Sequence, residues 1–160
     1  ESDALTGCMN RRGFIEKTLQ MNRDHEGEEL LILFADLDHL KEINDSFGHI
    51  EGDFSIRHCA EVLKKVVGAD GIVGRIGGDE FCVVTLGNLK DGQQIIERIR
   101  EESDAFNCTS DKEYYVELSA GCTSVICRNG LVIADALREA DRALYEVKKL
   151  RRNSVKKIRL

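Results

Sequence analysis

The chain has 160 residues, 42% of them hydrophobic and 32% charged, which fits one domain that buries a core without disulfides. Its formal net charge of −6 argues against a broad surface for nucleic acid or for anionic membranes, so any polyphosphate must be held by a local site. Six scattered cysteines without a Cys-x-x-Cys pair argue against zinc, and the lack of a signal peptide or of an apolar run near 18 residues predicts a cytoplasmic domain.

The first predicted element is a helix. A turn at Gly7 precedes Asn10, whose side chain suits the N-cap position. Phe14, Ile15 and Leu19 follow on one stripe of helical spacing. The beginning of the chain therefore reads as a turn and a helix that packs on the domain.

The next segment is a strand that ends in two carboxylates. Residues 30–35 are a continuous apolar run, which is typical of a central strand covered on both faces, and Asp36 and Asp38 follow it directly. Residues 40–45 have helical spacing, and a longer helical pattern begins at residue 52. The order so far is strand, short helix and long helix.

A β-hairpin carries the second acidic pair. Apolar segments at 72–76 and 80–86 flank Gly77-Gly78, and we expect this turn to need backbone conformations that glycine adopts most easily. Asp79 and Glu80 follow the glycines, and their side chains alternate in direction along the strand. An acidic hairpin of this kind is common without any function, so the turn alone decides nothing.

Three further elements complete the chain. A helix has Ile95, Ile96 and Ile99 on its buried side, and a strand is predicted over 114–125 with a break near Gly121. The most periodic helix runs over 133–147, and it continues into a basic tail. The order βαββαβ favours an α+β sandwich of the ferredoxin-like kind, with a mostly antiparallel central sheet flanked by helices.

This topology brings the two acidic segments together, because the first strand lies at the centre and runs antiparallel to the third. Asp36 and Asp38 should meet Asp79 and Glu80 at one rim of the sheet. Clustered carboxylates need a cation between them, and their hard oxygens suit Mg²⁺ or Mn²⁺.

Basic groups near this rim could hold phosphate. Lys41 lies beside the free N–H groups at the start of the short helix, and Lys148 and Arg152 share a face four residues apart. Each has a simpler explanation, as a solvated surface lysine or as a basic helix end that complements the helix dipole.

Four motifs follow one another along the chain: Asp3 to Arg12, Asp36 to His49 with Gly52-Asp53, Gly77 to Phe81, and Ala140 to Tyr145. In this order they resemble the GGDEF family of diguanylate cyclase domains. The resemblance covers nearly the whole chain, and departures such as Leu40 for phenylalanine and Arg151 for glycine leave its metal, phosphate and guanine positions in place.

The resemblance implies a nucleotide-cyclase-like fold and the condensation of two GTP into cyclic di-GMP with release of pyrophosphate. It implies that Asp36, the Leu37 carbonyl and Glu80 hold Mg²⁺ or Mn²⁺. Asp79 and Glu80 would be the catalytic pair, with Asp79 near the metals and the attacking hydroxyl. A catalytically inactive domain that binds GTP for regulation and an unrelated Mg²⁺-dependent phosphohydrolase are the alternatives.

The same resemblance assigns substrate contacts and partners. Asn44 and Asp53 would bind guanine. A second copy of the domain would complete a transient homodimer, and residues 1–160 would be one domain cut from a longer, possibly membrane-bound protein with an upstream sensor. No contact with nucleic acid or directly with the membrane is expected. The implied phosphate contacts are His39, Leu40, Lys41, Lys148 and Arg152.

One family feature is missing from the sequence. Many members have Arg-x-x-Asp before the hairpin as an inhibitory site for product, and Gly68 and Gly71 occupy those positions here. Neither glycine can grip a phosphate or a base edge, so we expect no inhibitory site there.

Overall fold

The computed structural model describes the backbone of residues 1–159 and the side chains of residues 1–150. Its elements follow the predicted order, with one helix before the βαββαβ core and another after it. They are α1 (Arg11–Asp24), β1 (Glu29–Leu37), α2 (Leu40–Phe47), α3 (His49–Val67), β2 (Ile72–Arg75), β3 (Glu80–Leu86), α4 (Leu89–Thr109), β4 (Leu118–Ile126) and α5 (Ile133–Arg159).

The four strands form one antiparallel sheet in the order β2-β3-β1-β4. This is the predicted ferredoxin-like arrangement, with β1 between β3 and β4. The continuous apolar run of β1 is explained by its position, because Leu30 to Ala35 are buried on both faces of the sheet.

Helices cover both faces of the sheet. On one face α1 and α5 pack on the strands through Phe14, Leu137 and Leu144. On the other face α3 and α4 contribute Leu63 and Ile99 to a second cluster. Four of the six cysteines are buried within these layers, as expected for small core residues: Cys8, Cys59, Cys82 and Cys127.

The N-cap of α1 is the predicted one, since the Asn10 side chain accepts a hydrogen bond from the Gly13 N–H at 2.9 Å. In the part of the chain that the structure describes, no helix combines the length and the apolarity that a bilayer crossing requires.

The last strand differs from the prediction in two ways. It begins at Leu118 rather than at residue 114, because Tyr114 belongs to a loop where its hydroxyl donates to Glu51 at 2.6 Å. It is also unbroken at Gly121. This glycine is required by packing, since a Cβ there would lie 2.2 Å from the backbone nitrogen of Leu144. The backbone of α5 therefore rests directly on β4.

Candidate active site

The two acidic segments meet at the end of β1. Asp36 is paired with Glu80 in the antiparallel register, and the Leu37 N–H donates to the Asp79 carbonyl at 2.9 Å. Within a strand the N–H and C=O of one residue point to the same side, so the Leu37 carbonyl also lies toward β3. Topology alone thus gathers residues that are more than 40 positions apart in the sequence.

The electrostatics of this rim disfavour negative charge. Burial raises the pKa of Asp36, and the nearby Asp38 and Asp79 add to this effect, while the hydrogen bond from Lys148 opposes it. Burial likewise raises the pKa of Glu80, with Asp79, Asp141 and Asp36 contributing. A cation in addition to Lys148 would favour the ionised forms of both Asp36 and Glu80.

Lys148 reaches this rim from α5. Its Nζ lies 2.5 Å from Asp36 Oδ2 and 3.9 Å from Asp38 Oδ1. The other oxygen, Asp36 Oδ1, is buried and has no hydrogen-bond partner among the described residues. In that same part of the chain, no three acidic, His or Cys side chains surround a common cation position. The carboxylates therefore face an ammonium group in this structure.

The hairpin turn is shaped differently from the prediction. Gly77 and Gly78 are not in the left-handed region of backbone conformation, so the expected reason for glycine is wrong. A Cβ at Gly77 would lie 2.4 Å from Glu80 Oε1, so a side chain there would displace the end of the Glu80 side chain. A Cβ at Gly78 would meet nothing within 4 Å. The Glu80 side chain thus folds over Gly77, and the turn stays open at Gly78.

The start of α2 follows the carboxylates directly. His39 has φ of +60°, which is uncommon for a residue other than glycine, and no side chain caps the helix. The first N–H groups of α2, beginning at Leu40, are thus left without a side-chain acceptor. Lys41 is exposed and pairs with Asp45 at 3.1 Å, so in this structure it does not contact the acidic rim.

Asn44 and Asp53 lie on consecutive helices. The Asn44 side chain packs against Gly52, where a Cβ would lie 1.8 Å from Asn44 Oδ1. Asp53 is exposed one residue further along α3. Gly52 is therefore the residue that lets Asn44 approach the beginning of α3.

The remaining predicted positions lie elsewhere. Arg152 is on α5, but its side chain lies outside the described residues. Gly68 ends α3 with φ of +80°, and its N–H donates to the Lys64 carbonyl at 3.1 Å. A Cβ at Gly71 would lie 1.9 Å from Val67 Cγ1. Both glycines have local structural reasons.

Sequence reasoning missed the contacts of two residues, Arg75 and Ser119. Arg75 Nη2 donates to the Gly78 carbonyl at 2.8 Å, and Arg75 Nη1 donates to both Asp3 carboxylate oxygens at 3.2 and 3.3 Å. The Ser119 hydroxyl donates to Asp38 Oδ2 at 2.7 Å. Pairs that are 72 and 81 residues apart leave no signal in a single sequence, although the register of β1 and β4 is enough to place Ser119 beside the rim.

Comparison with known proteins agrees with this architecture. The family model described as "Diguanylate cyclase, GGDEF domain" matches residues 1–154. The diguanylate cyclase DgcP of Escherichia coli (strain K12) is 38% identical over 153 residues, which cover 92% of this chain and 44% of that protein. DgcP of Pseudomonas aeruginosa is 35% identical over 158 residues, which cover 95% of this chain and 23% of that protein. The chain spans less than half the length of these two relatives.

A solved structure gives the same result. The GGDEF domain of DgcB from Caulobacter crescentus, crystallised in complex with c-di-GMP, matches with a TM-score of 0.80 at 26% identity. The match covers 92% of this chain and 90% of that one. Because the family model extends over nearly the whole sequence and the fold agrees, the chain belongs to the GGDEF family of diguanylate cyclase domains.

Proposed function

We propose that this chain is the catalytic domain of a diguanylate cyclase, which condenses two GTP into cyclic di-GMP and releases pyrophosphate. The observation that carries the proposal is the pairing of Asp36 with Glu80 at the end of β1, beside an unpartnered Asp36 oxygen. An inactive regulatory domain has no need of buried, mutually repelling carboxylates, which raise the free energy of the folded state.

The donor set fits a hard divalent cation, Mg²⁺ or Mn²⁺. Asp36, the Leu37 carbonyl and Glu80 would supply the oxygens, with Asp79 beside them, and the orphaned Asp36 Oδ1 is an oxygen that such an ion would satisfy. When bound, the metal neutralises phosphate charge and lowers the proton affinity of a ribose hydroxyl. The protein's own part is to place these oxygens on the rigid ends of two paired strands.

Guanine would be bound between α2 and α3. Its Watson–Crick edge offers adjacent N–H donors that the Asp53 carboxylate accepts together, and Asn44 completes the edge with its amide. Adenine lacks this pair of donors, so the site should prefer GTP to ATP. The close approach of Asn44 to Gly52 supports this arrangement, because it holds the amide near the start of α3.

The triphosphate would lie along the start of α2. The uncapped N–H groups after His39 and at Leu40 are suited to phosphate oxygens, and Lys41 would exchange its surface partner Asp45 for them. Lys148 and Arg152 would approach from α5 as further phosphate contacts.

The reaction would join two such sites. In each half, the 3′-hydroxyl of one GTP attacks the α-phosphate of the other; a phosphorus–oxygen bond forms, the bond to the β-phosphate bridge breaks, and pyrophosphate leaves. Asp79 and Glu80 lie where they would orient the hydroxyl and accept its proton. Because each domain holds one GTP, two copies must face each other with two-fold symmetry.

The broader context is also part of the proposal. The chain would be one domain of a longer cytoplasmic or membrane-anchored protein, in which an upstream sensor brings two copies together. On its own the domain should be largely monomeric.

Incubation with GTP and Mg²⁺ or Mn²⁺, with the products identified by mass, tests the function. We expect cyclic di-GMP and pyrophosphate in a 1:2 ratio, with a rate per molecule that rises with protein concentration. Inorganic phosphate as the product would support a phosphohydrolase instead. GTP binding without turnover at any concentration would support the regulatory alternative.

A further inference from the structure

The Lys148 ammonium group lies beside the carboxylates at the end of β1. It lies 2.5 Å from Asp36 Oδ2 and 3.9 Å from Asp38 Oδ1. The two aspartate side chains are only 15% and 12% exposed, and that of Lys148 is 35% exposed. The ion pair is thus largely shielded from water. Charges in such a place interact more strongly than charges at the surface.

The carboxylates at the end of β1 need a compensating positive charge even without a metal. Burial disfavours the ionised form of Asp36, and the neighbouring Asp38 and Asp79 add to this effect, so the pKa of Asp36 is raised. Removing one partner of a buried pair leaves an uncompensated charge. Lys148 compensates the carboxylates in this structure, although it satisfies only one of the two Asp36 oxygens.

A divalent ion on Asp36 and the Lys148 ammonium would compete for the same carboxylate. A metal on Asp36 Oδ1 and the ammonium on Asp36 Oδ2 would be two positive charges on one carboxylate, and they repel each other more strongly where the effective dielectric is low. The lysine is also able to leave. Leu144 is the last fully buried residue of α5 in the described part of the chain, and Lys148 lies one turn beyond it on a side chain with four rotatable bonds.

We propose that Lys148 is an internal competitor for the metal site: its ammonium holds Asp36 and Asp38 in the metal-free protein and must leave Asp36 when a divalent cation binds. The released ammonium becomes available to the triphosphate, so metal loading prepares the phosphate site. This inference rests on the metal site of the proposed function, and it adds to that function an order of events.

The test is the affinity for Mn²⁺ in the absence of nucleotide, measured by calorimetry and by the loss of the free-ion signal in electron paramagnetic resonance. Lys148→Met keeps a long unbranched side chain and removes the charge, so we expect Mn²⁺ to bind at least about tenfold more tightly. Lys148→Arg keeps the charge and should bind Mn²⁺ as the original protein does. Lys149→Met, at the exposed neighbouring position, is the matched control and should change nothing.

Equal or weaker Mn²⁺ binding by Lys148→Met would overturn the proposal, and so would the absence of any Mn²⁺ binding to both proteins. If Lys148→Met does not fold, the original protein gives a second measurement. Titration with Mg²⁺ should shift the ¹³Cε signal of Lys148, which is identified by its absence from Lys148→Arg. A signal that stays unchanged at saturating Mg²⁺ would contradict competition.

These outcomes are separable from the proposed activity. Tighter Mn²⁺ binding by Lys148→Met, together with no cyclic di-GMP formation by the original protein, would sustain the competition and refute the proposed cyclase activity. Turnover of GTP with unchanged Mn²⁺ affinity would do the reverse.

Discussion

Asp36 and Glu80 are the last pair of the antiparallel register between β1 and β3, which begins at Leu30 and Leu86. The pair places two carboxylates with raised pKa values side by side at a strand end. Such an arrangement costs folding free energy unless something binds there.

Glu80→Gln should reduce cyclic di-GMP formation by about 100-fold or more, because it removes the proposed metal ligand that would also face the reacting hydroxyl. Its stability should be unchanged or higher, since the amide no longer repels Asp36 and Asp79. Pyrophosphate release and thermal unfolding measure the two effects. Glu42→Gln, on the exposed side of α2, is the control and should retain turnover. Full activity of Glu80→Gln would refute the site.

Gly52→Ala should weaken GTP binding without unfolding α3. The added Cβ would lie 1.8 Å from Asn44 Oδ1 and force this side chain away, while alanine itself is the better helix former. Loss of one base contact predicts a rise in KM for GTP of about tenfold, with kcat little changed. Glu61→Ala, on the exposed face of α3, should behave as the original protein. An unaltered KM for Gly52→Ala would argue against Asn44 as a guanine contact.

Cyclic di-GMP should not inhibit the enzyme through the segment before the hairpin. Gly68 and Gly71 lack the groups that grip phosphate, and both are held by local structure at the end of α3. Turnover should continue as product accumulates to micromolar levels, and calorimetry should find no tight site in this segment. Tight binding that disappears in Asp70→Asn would contradict this expectation, because Asp70 is the remaining acceptor there.

His58 should make the folded state less stable in mild acid. Burial lowers its pKa from the ordinary 6.5, against the opposing effect of Glu61 and Glu102, and its Nε2 is buried without a partner among the described residues. Between the lowered pKa and 6.5 the unfolded chain binds more protons than the folded one. Stability therefore rises with pH across that interval and is lost as the pH falls below 6.5.

The substitution His58→Phe tests this pH dependence. The ring should stay packed near Phe106, whose centroid lies 4.0 Å from that of His58. The unfolding free energy, measured with urea at several pH values below 7, should then change less steeply with pH than in the original protein. His49→Gln, at an exposed histidine, should leave the slope unchanged. Identical slopes for His58→Phe and the original protein would show that His58 does not contribute.

Gly121→Ala should destabilise the domain by about 1–3 kcal/mol, the usual range for overpacking. The new Cβ would meet the backbone of Ala143 and Leu144, which cannot move without shifting α5. Denaturant unfolding measures the loss, and Ser124→Ala on the same strand is the control. A variant as stable as the original would show that α5 can withdraw from β4 at little cost.

The sequence predicted the fold well, and the reason lies in the hydrophobic patterns. The β1 run, the helical stripe of α5 and the Asn10 cap each have a strong local signal, and the order of elements then limits the topology. The convergence of Asp36 with Glu80 followed from that topology. The pairing of β1 with β3 could be predicted from the order of the elements, without knowledge of any side-chain contact.

Contacts between distant residues could not be foreseen in this way. Gly77 lies against the end of the Glu80 side chain, and Gly121 is required by the α5 backbone; neither contact is visible in local spacing. The predicted break at Gly121 was wrong for this reason. Lys148 was predicted as a phosphate contact, which stays a prediction, but its pairing with Asp36 depends on where α5 crosses the sheet.

The contacts of Arg75 tie local opening at two distant places to one another. Its guanidinium joins Asp3, in the first turn of the chain, to the carbonyl of Gly78 in the hairpin. When the first turn detaches, the Arg75 guanidinium loses the carboxylate that orients it toward the Gly78 carbonyl. We therefore expect faster hydrogen exchange at the hairpin amides when the Asp3 contact is lost, although Asp3 and Arg75 are 72 positions apart in the sequence.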